Sequence, residues 1–129
     1  MRADTRCVTD PRRHLGQLGE QLALEHLERL GYELVARNHR TRFGELDLVV
    51  SDDRALVFVE VKTRRGRAPG RAFENLHRAK REQVRRMARA FLAEVDDRPA
   101  RRHLRFDAVG VTIDPRGRLV ALEHLEGAF

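Results

Sequence analysis

Four charged side chains stand where the surrounding residues call for carbon. Gly44-Glu45-Leu46-Asp47-Leu48-Val49-Val50 and Ala55-Leu56-Val57-Phe58-Val59-Glu60-Val61-Lys62 are apolar runs separated by the polar Ser51-Asp52-Asp53-Arg54, the pattern of a β-hairpin. The second run is apolar almost without alternation, which fits a strand covered on both faces. Strand side chains alternate faces, so Glu45 and Asp47 share one face, and Glu60 and Lys62 share one face. Folding the hairpin about Asp53-Arg54 opposes residues whose numbers sum to 107, which sets Asp47 against Glu60 and Glu45 against Lys62. A turn displaced by one residue would break that parity. Opposed Cβ atoms lie about 4.5–5.5 Å apart. Two carboxylates at that spacing in a poorly hydrated site repel, and a divalent cation relieves the repulsion. The plainer alternative is a pair of strand-end salt bridges.

The use of lysine bears on the choice. Of 26 basic side chains only Lys62 and Lys80 are lysines. Arginine serves wherever positive charge suffices, so a lysine beside two carboxylates suggests a compact ammonium presented to a water or a phosphate oxygen. If Asp47, Glu60 and a third carboxylate converge, an oxygen-only ligand set favours Mg²⁺ or Mn²⁺ over zinc. With Lys62 one pleat from Glu60, such a site suits hydrolysis of a phosphodiester. The chain has no GxxxxGK[ST] loop, which argues against nucleoside triphosphate hydrolysis, and no Gly-x-Ser-x-Gly, which argues against a common serine-hydrolase arrangement.

These residues need elements to hold them. Residues 1–10 are polar and aperiodic and read as a tail, leaving 11–129 as one domain. Asp10-Pro11 starts a helix reaching about Leu30, with Leu15, Leu18, Gly19, Leu22, Ala23 and Leu30 facing the core and Gly31 as its stop. Glu20 borders that face. It is either an exposed helix glutamate or a carboxylate leaning towards Asp47 and Glu60. Tyr32–His39 reads as a strand with Tyr32, Leu34 and Ala36 on one side. Asn38–Arg42 then reads as a basic turn in which Arg40 and Arg42 could hold a phosphate. Thr63–Arg71 reads as a loop carrying Arg64, Arg65, Arg67 and Arg71, placed either to touch a nucleic-acid backbone or simply to connect.

Phe73 to Glu94 reads as a second long helix with Phe73, Leu76, Val84, Met87 and Phe91 as its apolar stripe. Arg78, Arg81, Arg85 and Arg89 fall on the opposite side, either a solvated face or a phosphate footprint. Lys80, with Gln83 beside it, interrupts the apolar stripe. It either snorkels to water or points across the sheet at the carboxylates. Leu104–Ile113 and Arg118–Leu125 read as strands around the turn Asp114-Pro115-Arg116-Gly117. The order of elements predicts a mixed sheet flanked by helices, with the strand after the second helix joining in parallel.

The net charge of +6 and pI near 10.8 suit a polyanionic partner, nucleic acid before an anionic membrane. Cys7 is the lone cysteine, which excludes an internal disulfide and fits a reducing cytoplasm. No apolar run approaches the length of a membrane span, and the N-terminus lacks the apolar segment of a signal peptide.

Several stretches together resemble a known family. They are Gly16-x-x-Gly19-Glu20-x-x-Ala23, Gly31-Tyr32, Asn38-x-Arg40, Gly44-Glu45-Leu46-Asp47-Leu48, Val57-Phe58-Val59-Glu60-Val61-Lys62-x-Arg64, Arg105-Phe106-Asp107 and Ala128-Phe129. Asp47 followed by Glu60-Val61-Lys62 resembles the PD-(D/E)XK signature of restriction-endonuclease-like nucleases, although Leu46 replaces the signature's proline. The whole set is most similar to the small bacterial YraN family (uncharacterised protein family 0102), itself similar to archaeal Holliday-junction resolvases. The resemblance implies an αβββαβ core and metal ligation by Asp47 and Glu60, completed by Glu20. It also implies Lys62 as catalytic lysine, and a homodimer. The resulting expectation is a Mg²⁺-dependent endonuclease acting on DNA, branched or single-stranded. Glu45, Lys80 and Gln83 support the site in that reading. The alternatives are a nucleic-acid-binding or assembly module without turnover, and a structural protein whose charge follows genome composition.

Overall fold

A computed structural model of the chain describes residues 11–68, 78–96, 98 and 103–129. The expected tail, the Asp10 cap, Cys7, Arg71, Phe73 and Leu76 lie outside these residues. Seven elements follow one another: α1 (Pro11–Arg29), β1 (Glu33–Thr41), β2 (Gly44–Ser51), β3 (Leu56–Arg65), α2 (Arg78–Glu94), β4 (Leu104–Ile113) and β5 (Leu119–Leu125). The strands form one sheet in the order β1-β2-β3-β4-β5. Only β3 and β4 are parallel, and α2 makes the crossover between them. This is the mixed sheet and αβββαβ order expected of a restriction-endonuclease-like core, extended by β5.

The apolar run of β3 is explained by its place at the centre. Val57 and Val59 join a core under α1 with Ala23, Leu27, Leu48 and Val111. Leu56 and Phe58 join a second core under α2 with Val84, Met87 and Phe91. With both faces covered, no position on this part of the strand is left for a polar side chain.

Helix α1 stops at a glycine cap. Gly31 has φ +99°, its N–H bonds the Glu28 carbonyl, and the Tyr32 N–H bonds the Leu27 carbonyl. The buried face is Gly19, Ala23, Leu24 and Leu27, with Leu15, Leu18 and Leu22 partly covered. Leu30 instead is 54% exposed, because it lies in the unwinding cap and no longer follows the helical stripe. A methyl group added at Gly19 would overlap the Thr63 side chain, so α1 lies directly against β3 there.

Three further expectations are corrected. β1 continues through the expected turn to Thr41, absorbing a kink at Asn38, whose φ is +51°. The reversal is confined to Arg42-Phe43, where Thr41 Oγ1 donates to the Gly44 carbonyl (2.8 Å) and accepts from the Phe43 N–H (3.0 Å). A register shift between Leu34 and Ala36 breaks the alternation, leaving Leu34 41% exposed rather than on one face with Tyr32 and Ala36. Thr63–Arg65 belongs to β3 and not to a loop, since parallel pairing with β4 runs unbroken from Leu56↔Leu104 to Arg65↔Ile113.

Candidate active site

The hairpin register is the one that parity requires. Leu48↔Val59, Val49↔Phe58, Val50↔Val57 and Ser51↔Leu56 are the paired residues of β2 and β3, and each pair sums to 107. Asp47 and Glu60 are the next pair, but the ladder ends before them. Asp47 Oδ2 instead accepts the Val61 N–H at 2.8 Å, so a carboxylate takes a backbone donor of the central strand. Both acids are half-buried, and the Glu60 side chain is only 19% exposed.

Burial is the largest cause raising the Asp47 pKa to about 7, and the neighbouring Glu60 charge is the next. The bond from Val61 opposes the shift, Glu20 adds to it, and Lys80 opposes it. Asp47 thus feels one acid from its own hairpin, one from α1 and one base from α2. The Lys80 ammonium lies 3.1 Å from Glu60 Oε2, so it points across the sheet and does not snorkel away. Near neutral pH Asp47 exchanges its proton readily and gains from any added positive charge.

Glu20 is held by Asn38, which the sequence reading did not count among the site residues. Asn38 Nδ2 donates to Glu20 Oε1 at 2.9 Å and lies 3.4 Å from Glu45 Oε1. The left-handed backbone of Asn38, a conformation asparagine tolerates better than most residues, aims its amide between the two acids. Glu45 also lies 3.7 Å from Arg40. It does not pair with Lys62, the partner expected from parity, because β2 and β3 have left their ladder by that point. Lys62 is exposed and makes no ion pair among the described residues. A cleft of about 240 Å³ between α1 and the hairpin is lined by Arg13, Gly16, Gln17, Glu20, Asn38 and Glu45.

Among the described residues no three His, Cys, Asp or Glu side chains are grouped closely enough to hold a metal ion. Asp47 and Glu60 do fit a hard dication in their chemistry: both are oxygen donors, and Asp47 is pushed towards its neutral form by burial and by the Glu60 charge. Most of the coordination shell would come from water and substrate, as Mg²⁺ commonly requires.

Gln83 is not at the carboxylates. It donates to the Phe43 carbonyl at 2.8 Å and so pins the β1–β2 turn. The basic residues divide in a similar way. Arg40 and Arg42 are exposed on the hairpin rim, with Arg42 lying over the Phe43 ring at 4.8 Å. Arg64 bonds the Ala68 carbonyl and Thr112, and Arg65 bonds the Asp114 carbonyl, so both brace the far end of β3. Arg67 is exposed, in a cleft with Asp114, Arg116 and Arg118. On α2, Arg81 and Arg89 are exposed, whereas Arg85 bonds the Phe129 carbonyl and covers the Phe106 ring.

One buried polar cluster was visible in the sequence only as a strand and as the Arg105-Phe106-Asp107 stretch of the family resemblance. Asp107, fully buried, accepts two bonds from Arg105 (2.8 and 2.9 Å), one from the Gly127 N–H and one from His124 (2.8 Å). Although burial alone would raise it, the His124, Arg105 and Gly127 bonds hold its pKa down at about 2. Arg105 also reaches the Tyr32 hydroxyl, and His124 meets His26 at 3.1 Å. The His26 pKa is lowered, first by burial and then by His124 and Arg29. This cluster ties β4 to α1, to β5 and to the residues after β5. It lies under α1 and does not touch the carboxylate pair.

Comparison with known proteins places the chain. The family model described as "Uncharacterised protein family UPF0102" matches residues 19–111, which span the Glu20, Asp47, Glu60 and Lys62 positions. A UPF0102 protein of Pelotomaculum thermopropionicum is 43% identical over 95% of this chain and 100% of its own length. One of Roseiflexus castenholzii is 44% identical over 92% of this chain and 94% of its own. Another, of Symbiobacterium thermophilum, is 47% identical over 83% of this chain and 89% of its own. On the family match and on these near-full-length similarities, the chain belongs to the uncharacterised protein family UPF0102.

Proposed function

We propose that this protein is a divalent-cation-dependent endonuclease that hydrolyses phosphodiester bonds of DNA, with branched or single-stranded DNA as its substrate class. The observation that carries the reading is the half-buried Asp47 and Glu60 just beyond the last β2–β3 ladder pair, where the Glu60 charge helps raise the Asp47 pKa, with Lys62 one pleat further. Asp47 and Glu60 would hold Mg²⁺ or Mn²⁺, with Glu20 at the margin. A bound dication would supply charge neutralisation and Lewis acidity at the phosphate. Asp47 would hold the cation as its carboxylate. Lys62, exposed and without an ion-pair partner among the described residues, presents its ammonium to the attacking water or a phosphate oxygen. Arg40 and Arg42 on the rim take neighbouring phosphates.

The Lys80–Glu60 ion pair and the lack of a three-ligand group among the described residues favour a second reading, a nucleic-acid-binding module without turnover. Junction, flap, single-stranded and duplex DNA incubated with Mg²⁺ or Mn²⁺ decides between them. The first reading expects cleavage that Glu60→Ala and Lys62→Ala abolish. Salt-sensitive binding with no metal-dependent product supports the second. We place the protein in the cytoplasm, and a homodimer would offer paired sites to a symmetric junction. Among the described residues no helix is long and apolar enough to cross a membrane.

A further inference from the structure

A groove of about 690 Å³ lies between the β1–β2 turn and the outer side of α2, lined by Arg42, Phe43, Arg86, Arg89, Ala90 and Glu94 together with Ala93. Positions 86, 89, 90 and 93 recur at helical spacing, so α2 forms one wall with two arginines standing over small alanines. The opposite wall is rigid. Thr41 closes the turn with two hydrogen bonds, Gln83 holds the Phe43 carbonyl at 2.8 Å, and Gly44 has φ +135° with no room for a Cβ against Gln83 and Met87. This turn presents the Arg42 guanidinium stacked on the Phe43 ring at 4.8 Å, with Arg42 itself exposed. The groove's single acid, Glu94, faces His39 at 3.4 Å. What remains is two arginines at one wall and an arginine–aromatic stack at the other.

We infer that this groove binds single-stranded nucleic acid, with a base stacked on the Arg42–Phe43 pair and phosphates on Arg86 and Arg89. Flat guanidinium and aromatic surfaces take the face of an unpaired base and tolerate any sequence, while arginines track the backbone. An intact duplex offers base edges in its grooves and keeps its base faces stacked inside, so it cannot use the turn in this way. The groove lies further along α2 than Lys80, the residue that meets Glu60. Lys80 and Arg86 are six residues apart on α2, about 9 Å along the axis at 1.5 Å per residue. A strand in the groove could therefore reach Glu60 within a few nucleotides. The inference builds on the reading of the protein as directed at nucleic acid, but it does not require turnover at Asp47 and Glu60.

The test is fluorescence anisotropy with the full chain carrying Glu60→Ala, which separates binding from cleavage. The probes are labelled oligo-dT, oligo-U and a blunt hairpin duplex. Arg86→Glu with Arg89→Glu is compared with Arg116→Glu with Arg118→Glu, an equal charge change on exposed sites at the far end of the sheet. The groove pair is expected to weaken oligonucleotide binding at least tenfold more than the control pair. Arg42→Lys keeps the charge but loses the stacking plane. It is expected to weaken single-strand binding about fivefold or more, as for one lost base stack, and to leave duplex binding unchanged. Oligo-dU is added because it differs from oligo-U only in the 2′-hydroxyl, so a preference between those two assigns the sugar. Equal weakening by the two charge-reversal pairs, or an Arg42→Lys variant that binds both probe classes like its parent, would overturn the inference. So would a duplex that binds as tightly as the single strands. The arginines altered on the Glu60→Ala background are all exposed, and thermal melts of each variant check that the fold is retained.

Discussion

Replacing Asp47 by Asn tests whether the site is built at the expense of stability. The Asp47 pKa rises from an ordinary 3.8 to about 7, with burial the first cause and Glu60 the second. A raised pKa means that the folded protein holds a proton which the unfolded chain has released. The contribution of this group to stability therefore falls as pH climbs from about 4 to about 7, by about 1.4 kcal/mol per pH unit, and is flat above that. The full span is roughly three units, or about 4 kcal/mol at most. Asparagine matches the neutral acid in shape, cannot ionise, and still offers an oxygen to the Val61 N–H. In EDTA at pH 8 the variant should be about 2–4 kcal/mol more stable than wild type, and only about 1 kcal/mol more stable at pH 4.5. For a chain of this length 1 kcal/mol corresponds to on the order of 4 °C in Tm, so a rise of roughly 8–15 °C at pH 8 is expected. Melts by circular dichroism across pH 4.5–8.5 measure it. A variant no more stable than wild type at pH 8, or one whose advantage does not change with pH, would refute the electrostatic account of Asp47.

Three further outcomes are expected. Lys80→Met leaves Glu60 without its ammonium partner, so the metal-free variant should melt below wild type at pH 8 and gain more Tm than wild type from millimolar Mn²⁺; a smaller gain would count against Lys80 filling the charge role of a cation. Asp107 has a depressed pKa of about 2, so its contribution is present above about pH 4 and lost as pH falls towards 2. Asp107→Asn should cost about 3–5 kcal/mol by leaving Arg105 without its counter-charge, read as a lower urea midpoint at pH 7. Gly19→Ala should cost on the order of 1–2 kcal/mol, overpacking against Thr63 outweighing the better helix propensity, and a measured gain in stability would mean that α1 shifts freely on β3.

The parts of this molecule legible in its sequence are those governed by parity and by punctuation. The alternation of β2 and β3 about Asp53-Arg54 set the register observed from Leu48↔Val59 to Ser51↔Leu56, just short of Asp47 and Glu60. Gly31 marked the end of α1, and Lys80 in an apolar stripe left a choice between water and the carboxylates that its contact with Glu60 decides. The illegible parts depend on where regular geometry stops. Glu45 was paired with Lys62 by extending the ladder past Val59, where the strands separate and Arg40 and Asn38 take Glu45 instead. Thr63–Arg65 looked like loop because its basic residues hide ten residues of parallel pairing, which no local pattern encodes. Asn38 was read with the polar, basic stretch Asn38–Arg42 as a turn, whereas its left-handed backbone lies within a strand and its amide reaches Glu20. The Asp107 cluster gathers α1, β4, β5 and the residues after β5, and its partners are too far apart in sequence for spacing to reveal.

The central claim is that Asp47 and Glu60 form a cation site, and an anomalous diffraction map from crystals grown in Mn²⁺ tests it most directly. The account predicts a manganese peak between the two carboxylates, with the Lys80 ammonium moved away from Glu60. A map with no peak there at millimolar Mn²⁺, and with the Lys80–Glu60 contact intact, would contradict it.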